Sequence, residues 1–394
     1  MSEPLEGRAQ AGGRGAPTSG DRPALLVHEY VTGGGWPEAD PPRFAGEADA
    51  MVRAVLEDLR DWGRFTVVTT RDRRFGGPAL PADRVVWLDG GESGARRPGD
   101  AAAAPGDADA GGRPGYRAAL LEAAAGCEAA LVIAPETGGA LERASAWLHE
   151  AGVSLLGSTP AAIAVAADKW ECSRRFRRAG LPAPETVCVA PRDAEAATRR
   201  LGLPVVLKPL DGAGCDGVAV VRAESDLSSA LALPALAGAE KILVQRWVAG
   251  EPASVSLLVA GRGAVPLSLN SQKLRIGIPC AYEGGTAAID HARRDEAFDL
   301  AARAVGLVPG LRGYVGVDLV LAPDGCSLVE INPRLTTSYV GLRGVPAFNL
   351  AEAHWKACIC DTLPTTVRSR ATRGFTGGQA LHRDAGGEAV PAHA

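Results

Sequence analysis

Short apolar runs alternate with amphipathic stretches from residue 24 to residue 155, and this alternation limits the fold more than any other feature of the chain. Residues 24–30 read as a buried strand and 45–61 as an amphipathic helix. Residues 65–70 and 85–88 are short strands. Residues 129–134 form another, followed by a helix over 141–151 and a strand over 153–155. Strands alternating with helices predict a parallel sheet covered on both faces. Ligands of such sheets bind beyond the carboxyl ends of the strands. Two glycine-bearing loops stand at those ends, Thr32-Gly33-Gly34-Gly35 and Pro135-Glu136-Thr137-Gly138-Gly139. Glycine there serves either a tight turn or a close approach of backbone to ligand. The pattern leaves both readings open, and Gly33, Gly34 and Gly35 are candidate substrate contacts.

A length of 394 residues calls for two or three cores, and a 46% hydrophobic content can fill them. A net charge of -4 gives no reason to expect nucleic acid or an anionic membrane as partner. No apolar run approaches the roughly 20 residues needed to span a bilayer. The start of the chain lacks the apolar middle of a signal peptide, so a cytoplasmic location is expected. The eight cysteines are scattered without a CxxC pair, which indicates neither a zinc ribbon nor a disulfide framework. Cys358 and Cys360 are read as ordinary packing residues. Residues 1–22, 89–115 and 368–394 are biased in composition; they are expected to be a disordered tail, a disordered insert and a flexible tail.

The middle of the chain handles charge in an unusual way. Residues 158–180 read as helix. Ser158 or Thr159 can cap it, Pro160 suits its first turn, and Asp168 can cap a second piece that stops at Gly180. Lys169 then sits at the positive end of that piece's dipole; an anion would relieve it, and solvent would also serve. Residues 203–207 form an apolar strand that runs into Lys208, and a lysine in a buried strand needs a partner. Directly after it, Gly212, Gly214 and Gly217 make a flexible loop whose amides can wrap phosphate. No Lys-Ser or Lys-Thr follows, and a strand rather than a helix comes next, so this is neither a Walker A loop nor a dinucleotide fingerprint. A further strand, 241–248, carries Gln245 and leads to Glu251.

Residues 316–333 read as an acidic hairpin turning at Pro323-Asp324-Gly325. With the turn centred on Asp324, Asp318 and Glu330 face each other across the ladder, where like charges destabilise a sheet. Asn332 shares the face of Glu330. Two carboxylates and an amide oxygen suit magnesium, with phosphates completing its shell. Arg334 follows; it can stabilise a transferring phosphoryl group, or pair structurally with one of the same acids.

Taken together, Asp168-Lys169, Leu207-Lys208-Pro209, the glycine loop 211–217, Gln245 to Glu251, Asp318 and Glu330-Ile331-Asn332-Pro333-Arg334 resemble the ATP-grasp superfamily of carboxylate–amine ligases. The resemblance covers roughly residues 156–363. It implies an ATP-grasp fold of α/β class with an α+β lid, preceded by a parallel-sheet N-terminal domain. The implied boundaries are 23–156 for that domain, 157–246 for linker helices and lid, and 247–367 for the catalytic subdomain. It further implies that Lys169, Lys208, Gly212, Gly214 and Gly217 contact ATP phosphates and that Gln245 and the backbone near Val248 hold adenine. Asp318, Glu330 and Asn332 would hold magnesium, with manganese an acceptable substitute, and Arg334 would assist phosphoryl transfer. Relatives commonly carry a ribose-binding acid where this chain has Pro252, and Glu251 is the substitute on hand.

A narrower resemblance joins residues 27–35 and 332–343 to tyramine–L-glutamate ligases of methanofuran biosynthesis. It implies amide formation between the side-chain carboxyl of glutamate and tyramine through an acyl phosphate. Lys273 is a catalytic candidate, and Gln272, Arg275, the stretch 282–286 and Arg343 are expected to face the substrates. Arg343 is equally readable as a surface helix residue. The partners implied are small molecules, and a homodimer is compatible with the sequence. The rival readings are a ligase for another amino acid or peptide, and a non-catalytic nucleotide-binding protein.

Overall fold

A computed structural model describes residues 22–38, 40–75, 78–88, 115–365, 367 and 373–376. The expected tail over 1–22, except its last residue, and the expected insert over 89–115, except Gly115, lie outside the described residues. So does most of 368–394.

The first sheet is parallel. Its strands are β1 (Ala24–Glu29), β2 (Thr66–Asp72), β3 (Arg84–Leu88), β4 (Cys127–Ile133) and β5 (Ser154–Leu155), in the order β3-β2-β1-β4-β5. The chain winds outward from β1 through β2 to β3, then returns to place β4 on the other side of β1. That reversal opens a crevice at the carboxyl ends of β1 and β4, which the backbone N–H of Tyr30 narrows by donating to Ile133 O at 2.8 Å. The helices α1 (Ala45–Trp62), α2 (Tyr116–Ala124) and α3 (Ala140–Glu150) cover the sheet. Leu25, Val27 and Val67 pack on one side with Met51, Val55 and Leu59 of α1. Leu26, Val68 and Ala130 pack on the other with Leu120 of α2 and Leu148 of α3. Alternate residues of β1 thus feed two cores, as a strand with both faces buried must.

Next come α4 (Pro160–Ala167) and α5 (Lys169–Arg178). Thr159 caps the first by accepting from Ala162 N, and Asp168 caps the second by accepting from Glu171 N. The second sheet is antiparallel, with β6 (Thr186–Val189), β7 (Val205–Pro209), β8 (Ala219–Val221) and β9 (Ile242–Arg246) in the order β6-β9-β7-β8. The helices α6 (Ala194–Leu201), α7 (Leu227–Leu231) and α8 (Pro234–Ala237) pack on it around Val205, Leu207 and Val244.

The third sheet has the order β14-β13-β10-β11-β12-β15. Its strands are β10 (Glu251–Ala260), β11 (Gly263–Arg275), β12 (Ala281–Ala287), β13 (Gly313–Ala322), β14 (Gly325–Asn332) and β15 (Arg373–Thr376), with α9 (Arg294–Val305) against one face. The strand β15 corrects the expectation of a frayed tail: residues 373–376 pair antiparallel with β12, and Phe375 is buried there.

Two short helices, α10 (Ser338–Leu342) and α11 (Leu350–Ile359), tie this sheet to the first. Trp355 of α11 stacks on Phe65 with ring centroids 4.5 Å apart. The Tyr339 hydroxyl donates to Asp58 Oδ2 at 2.8 Å, and Asn349 Nδ2 donates to Asp58 O at 2.7 Å. Arg343 faces Glu57, Asp58 and Asp61 of α1 at 3.2, 3.1 and 2.7 Å. Its Nε lies close enough to Asp58 for charge attraction yet is misaligned for a hydrogen bond. This corrects the expectation that Arg343 meets a substrate carboxylate: its carboxylates belong to α1. Among the described residues no helix is long and apolar enough to cross a membrane.

Candidate active site

A cavity of about 280 Å³ lies where the three sheets converge. Its chemistry starts at the hairpin β13–β14. Asp318 pairs with Glu330 and Gly316 with Asn332, so both acids and the amide share one face. The reason differs from a turn centred on Asp324. The turn is two residues, Pro323 and Asp324, because Ala322 pairs with Gly325. That register alone would set Glu330 opposite Val317, on the other face. A bulge intervenes: Leu319 pairs with Leu328 while Asp318 pairs with Glu330, so Val329 is the extra residue. One inserted residue brings the two acids together.

The acids are held at a cost. Burial and the Glu330 charge push the Asp318 carboxyl above its ordinary range. Gln272 Nε2 donates to Asp318 Oδ1 at 3.0 Å and Asn332 Nδ2 to Oδ2 at 3.2 Å. Burial also opposes ionisation of Glu330, but Lys169 and Lys208 outweigh it and keep its pKa low. Lys169 Nζ lies 3.3 Å from Glu330 Oε2 and donates to Gly212 O at 2.9 Å. Among the described residues no cluster of three His, Cys, Asp or Glu could hold a metal alone. Two carboxylates plus one amide fit a hard cation whose remaining ligands are phosphate oxygens.

Lys208 is the second cation. Its strand β7 buries it, and desolvation lowers its pKa to about 8. Among the described residues no carboxylate lies within ion-pair distance of its Nζ. Gly212 and Gly214 line the cavity beside it, both with positive φ. Asp211 Oδ2 accepts from Gly138 N at 2.8 Å, linking this loop to the first sheet. Gln245 and Val248 line the same cavity, with Gln245 Nε2 donating to Thr186 Oγ1 at 2.8 Å.

Arg334 also lines the cavity. Its guanidinium binds Glu136 through Nε and Nη2, both at 2.9 Å, while Nη1 donates to Leu335 O at 3.0 Å. The partner is an acid of the first sheet's second loop, neither of the hairpin acids. A bidentate pair of this kind fixes the plane of the arginine.

Several expected residues do not reach the cavity. On β11, Gln272 and Leu274 line it while Lys273 and Arg275 face away and pair with Glu283 at 3.1 and 3.6 Å. Period-two alternation puts neighbours on opposite faces. Glu251 is exposed, whereas Gly250 and Pro252 line the wall. Gly217 has φ +69° and sits against Ala235, where a Cβ would come within 2.5 Å. Gly33, Gly34 and Gly35 are buried in a helical turn over Val31–Gly35. A Cβ on Gly33 would lie 2.5 Å from Thr70 Oγ1, and one on Gly35 would run into the Tyr30 ring. These glycines answer to packing rather than to a ligand.

Other cavity residues had no assigned role in the sequence. Glu29 ends β1 at the crevice and accepts from Val31 N, Thr32 N and Thr32 Oγ1; burial raises its pKa to about 7. Glu47 of α1 also lines the cavity. The rule that ligands gather at carboxyl strand ends points to Glu29; no local motif marks Glu47.

Residues 166–338 match the family described as ATP-grasp domain, and residues 110–163 match the pre ATP-grasp 3 domain. This is an ATP-grasp fold. The chain is 43% identical over 108 residues to the tyramine–L-glutamate ligase of Methanocaldococcus jannaschii, covering 27% of this chain and 34% of that protein. The chain thus spans about a third of the length of that relative. It is 30% identical over 202 residues to the D-alanine–D-alanine ligase of Desulforudis audaxviator, 48% of this chain and 66% of that one. Among solved structures it superposes on an ATP-grasp superfamily protein from Archaeoglobus fulgidus with a TM-score of 0.61 at 20% identity, over 91% of this chain and 100% of that one. It also superposes on biotin carboxylase from Campylobacter jejuni with a TM-score of 0.66 at 16% identity, over 89% and 74%. At these identities the structural likenesses speak for the fold alone.

Proposed function

We propose that the ATP-grasp domain of this chain is an ATP- and magnesium-dependent carboxylate–amine ligase, joining the side-chain carboxyl of L-glutamate to tyramine in the cytoplasm. The observation that carries the reading is the gathering of both charge signs in one cavity. The cations Lys169 and Lys208 line it together with the acids Asp318 and Glu330, with Lys169 Nζ 3.3 Å from Glu330 Oε2. A polyphosphate that brings its own divalent cation satisfies both signs at once.

In this reading Lys169, Lys208 and the amides at Gly212 and Gly214 grip the phosphates. Gln245 and the backbone at Val248 line the base. Magnesium on Asp318, Glu330 and Asn332 would neutralise phosphate oxygens. Arg334, oriented by Glu136, stabilises charge on the moving phosphoryl group. A carboxylate oxygen of the acid substrate attacks the γ-phosphorus and ADP leaves. The amine nitrogen then attacks the acyl carbon and inorganic phosphate leaves with the bridging oxygen. The ammonium gives up two protons along the way, one before attack and one as the amide forms. Positioning and charge stabilisation carry most of the acceleration.

The choice of glutamate and tyramine leans on the partial likeness to the tyramine–L-glutamate ligases. The test is ADP release with tyramine and L-glutamate, beside a panel of other amines and amino acids including D-alanine. Tyramine with glutamate is expected to give the highest kcat/KM, and Glu330→Gln to lower it at least ~100-fold. Higher turnover with a D-alanine pair would replace the substrates; equal rates in wild type and variant would remove the active site.

A further inference from the structure

Gln272 reaches Asp318 across an intervening strand. In the third sheet β10 lies between β11 and β13. Asp318 and Asn270 both pair with Ser254, and Ala253 pairs with Ser271, so Gln272 stands two residues along β11 from the position level with Asp318. Neighbouring strands are about 4.8 Å apart, so the two backbones are roughly 10 Å from each other and only long side chains can meet. Pro252 and Ser254 stand between them on the cavity face, and both are short enough to leave the way open. Gln272 Nε2 closes the gap by donating to Asp318 Oδ1 at 3.0 Å. Asn332 Nδ2 donates to the other oxygen at 3.2 Å. Glu330 is held instead by an ammonium, with Lys169 Nζ 3.3 Å from its Oε2.

We infer that Gln272 is a positioning residue for the divalent cation: its amide holds Asp318 in one orientation and leaves the carboxylate its charge. A primary amide donates without carrying a charge of its own. A lysine in its place would pair with Asp318 and cancel the charge that a divalent cation needs, and a glutamate would set a third acid beside Asp318 and Glu330. Each Asp318 oxygen accepts from one neutral amide, so the plane of the carboxylate is fixed and neither donor neutralises it. Asn332 spends its Nδ2 on Asp318, which leaves its Oδ1 as the atom it can offer a cation. The hold on Glu330 is of another kind. A phosphate that draws Lys169 away weakens that ion pair, whereas the amides on Asp318 lose nothing. Asp318 is therefore the ligand whose orientation does not depend on the nucleotide. Partners that orient a metal ligand are worth roughly 10- to 100-fold in affinity. The role rests on the ATP- and magnesium-dependent reading and deepens it by adding a residue behind the cation's ligands.

Cation binding without turnover tests the role. Mn2+ is titrated into the full chain with saturating ADP, and electron paramagnetic resonance counts the free ion. Gln272→Met keeps the length and removes the donor; it should weaken Mn2+ binding about 10- to 100-fold. Gln272→Lys keeps a donor but cancels the charge, and should weaken it at least as much. Lys273→Met changes the next residue of the strand, which faces away from the cavity onto Glu283, and should leave Mn2+ affinity within about twofold. ADP binding measured in EDTA should stay within about twofold in Gln272→Met, which a disrupted strand could not show. Equal Mn2+ affinity in wild type and Gln272→Met, or wild-type affinity in Gln272→Lys, overturns the role; ADP release with an amine in spite of that result leaves the ligase standing. Gln272-dependent Mn2+ binding with no amine-dependent ADP release does the reverse. Wild type that binds no Mn2+ in the presence of ADP removes both.

Discussion

Replacing Lys208 by methionine should make the ligand-free protein more stable and remove its response to MgATP. The lysine is buried on β7 without a carboxylate in ion-pair range, and desolvation lowers its pKa from 10.5 to about 8. At roughly 1.36 kcal/mol per unit, that difference is about 3 kcal/mol of unfavourable charging in the folded state. The sign follows from proton counting. Between pH 8 and 10.5 the unfolded chain binds more protons than the folded one, so wild-type stability rises with pH across that window. At pH 7 the whole cost is present. Methionine keeps the length and apolar stem without the charge, so Lys208→Met should gain about 1–3 kcal/mol at pH 7 and under about 1 kcal/mol at pH 10. Wild type should gain about 2.7 kcal/mol from MgATP at a hundredfold excess over Kd, and the variant little. Urea denaturation at both pH values, with and without MgATP, measures all of these terms. A variant no more stable than wild type at pH 7, with a difference flat to pH 10, would mean that the lysine is already neutralised inside the protein. It would then not be waiting for phosphate.

Two further outcomes are expected. Arg343→Met should lower stability by about 2 kcal/mol, discounted for the 30% exposure of its side chain, and shift the melting temperature down by a few degrees; KM values unchanged within about twofold would mark it as a tie to α1, whereas a large rise in one substrate's KM would return it to the site. Glu29, whose pKa burial raises from 4.5 to about 7, binds more protons folded than unfolded, so its contribution is complete below pH 4.5 and lost as pH rises through 7. Relative to Glu29→Gln, wild type should therefore lose about 3 kcal/mol across that window; parallel stability profiles for the two proteins would refute it.

How far the sequence could be read depended on whether a residue's fate was set locally. The parallel sheet was legible because both faces of β1 are buried and its neighbours announce themselves as apolar runs. The caps Thr159 and Asp168 were legible because a cap is a contact within three residues. The pairing of Asp318 with Glu330 was anticipated through the wrong turn. Symmetry about Asp324 gave the right partners only because the bulge at Val329 compensates for a two-residue turn. The side of Lys273 was readable in principle: Gln272 and Leu274 share a face, and the charged neighbours must take the other. Packing of Gly33 against Thr70, Gly34 against Leu88 and Gly35 against Tyr116 was not readable, since those partners are tens of residues away. The same distance hid the Glu136 partner of Arg334 and the place of Glu47 in the cavity lining.

These long-range contacts also explain why the site needs all three sheets. The third sheet alone supplies two acids and Arg334, a set whose like charges oppose each other and whose arginine lacks its orienting partner. The second sheet brings the lysine and glycine loop, and that loop is anchored to the first sheet by Gly138 N on Asp211. The first sheet brings Glu136 to Arg334 and, through α1, Glu47 to Thr337. Each sheet by itself carries groups that are costly to bury, and each group is answered from another sheet or left facing the cavity. Lys208, with no carboxylate in ion-pair range, and Asp318, pushed above its ordinary range by burial and by Glu330, are those left over. They bring opposite signs to one cavity, so no simple ion relieves both, and a metal-bound polyphosphate is a ligand that carries both signs.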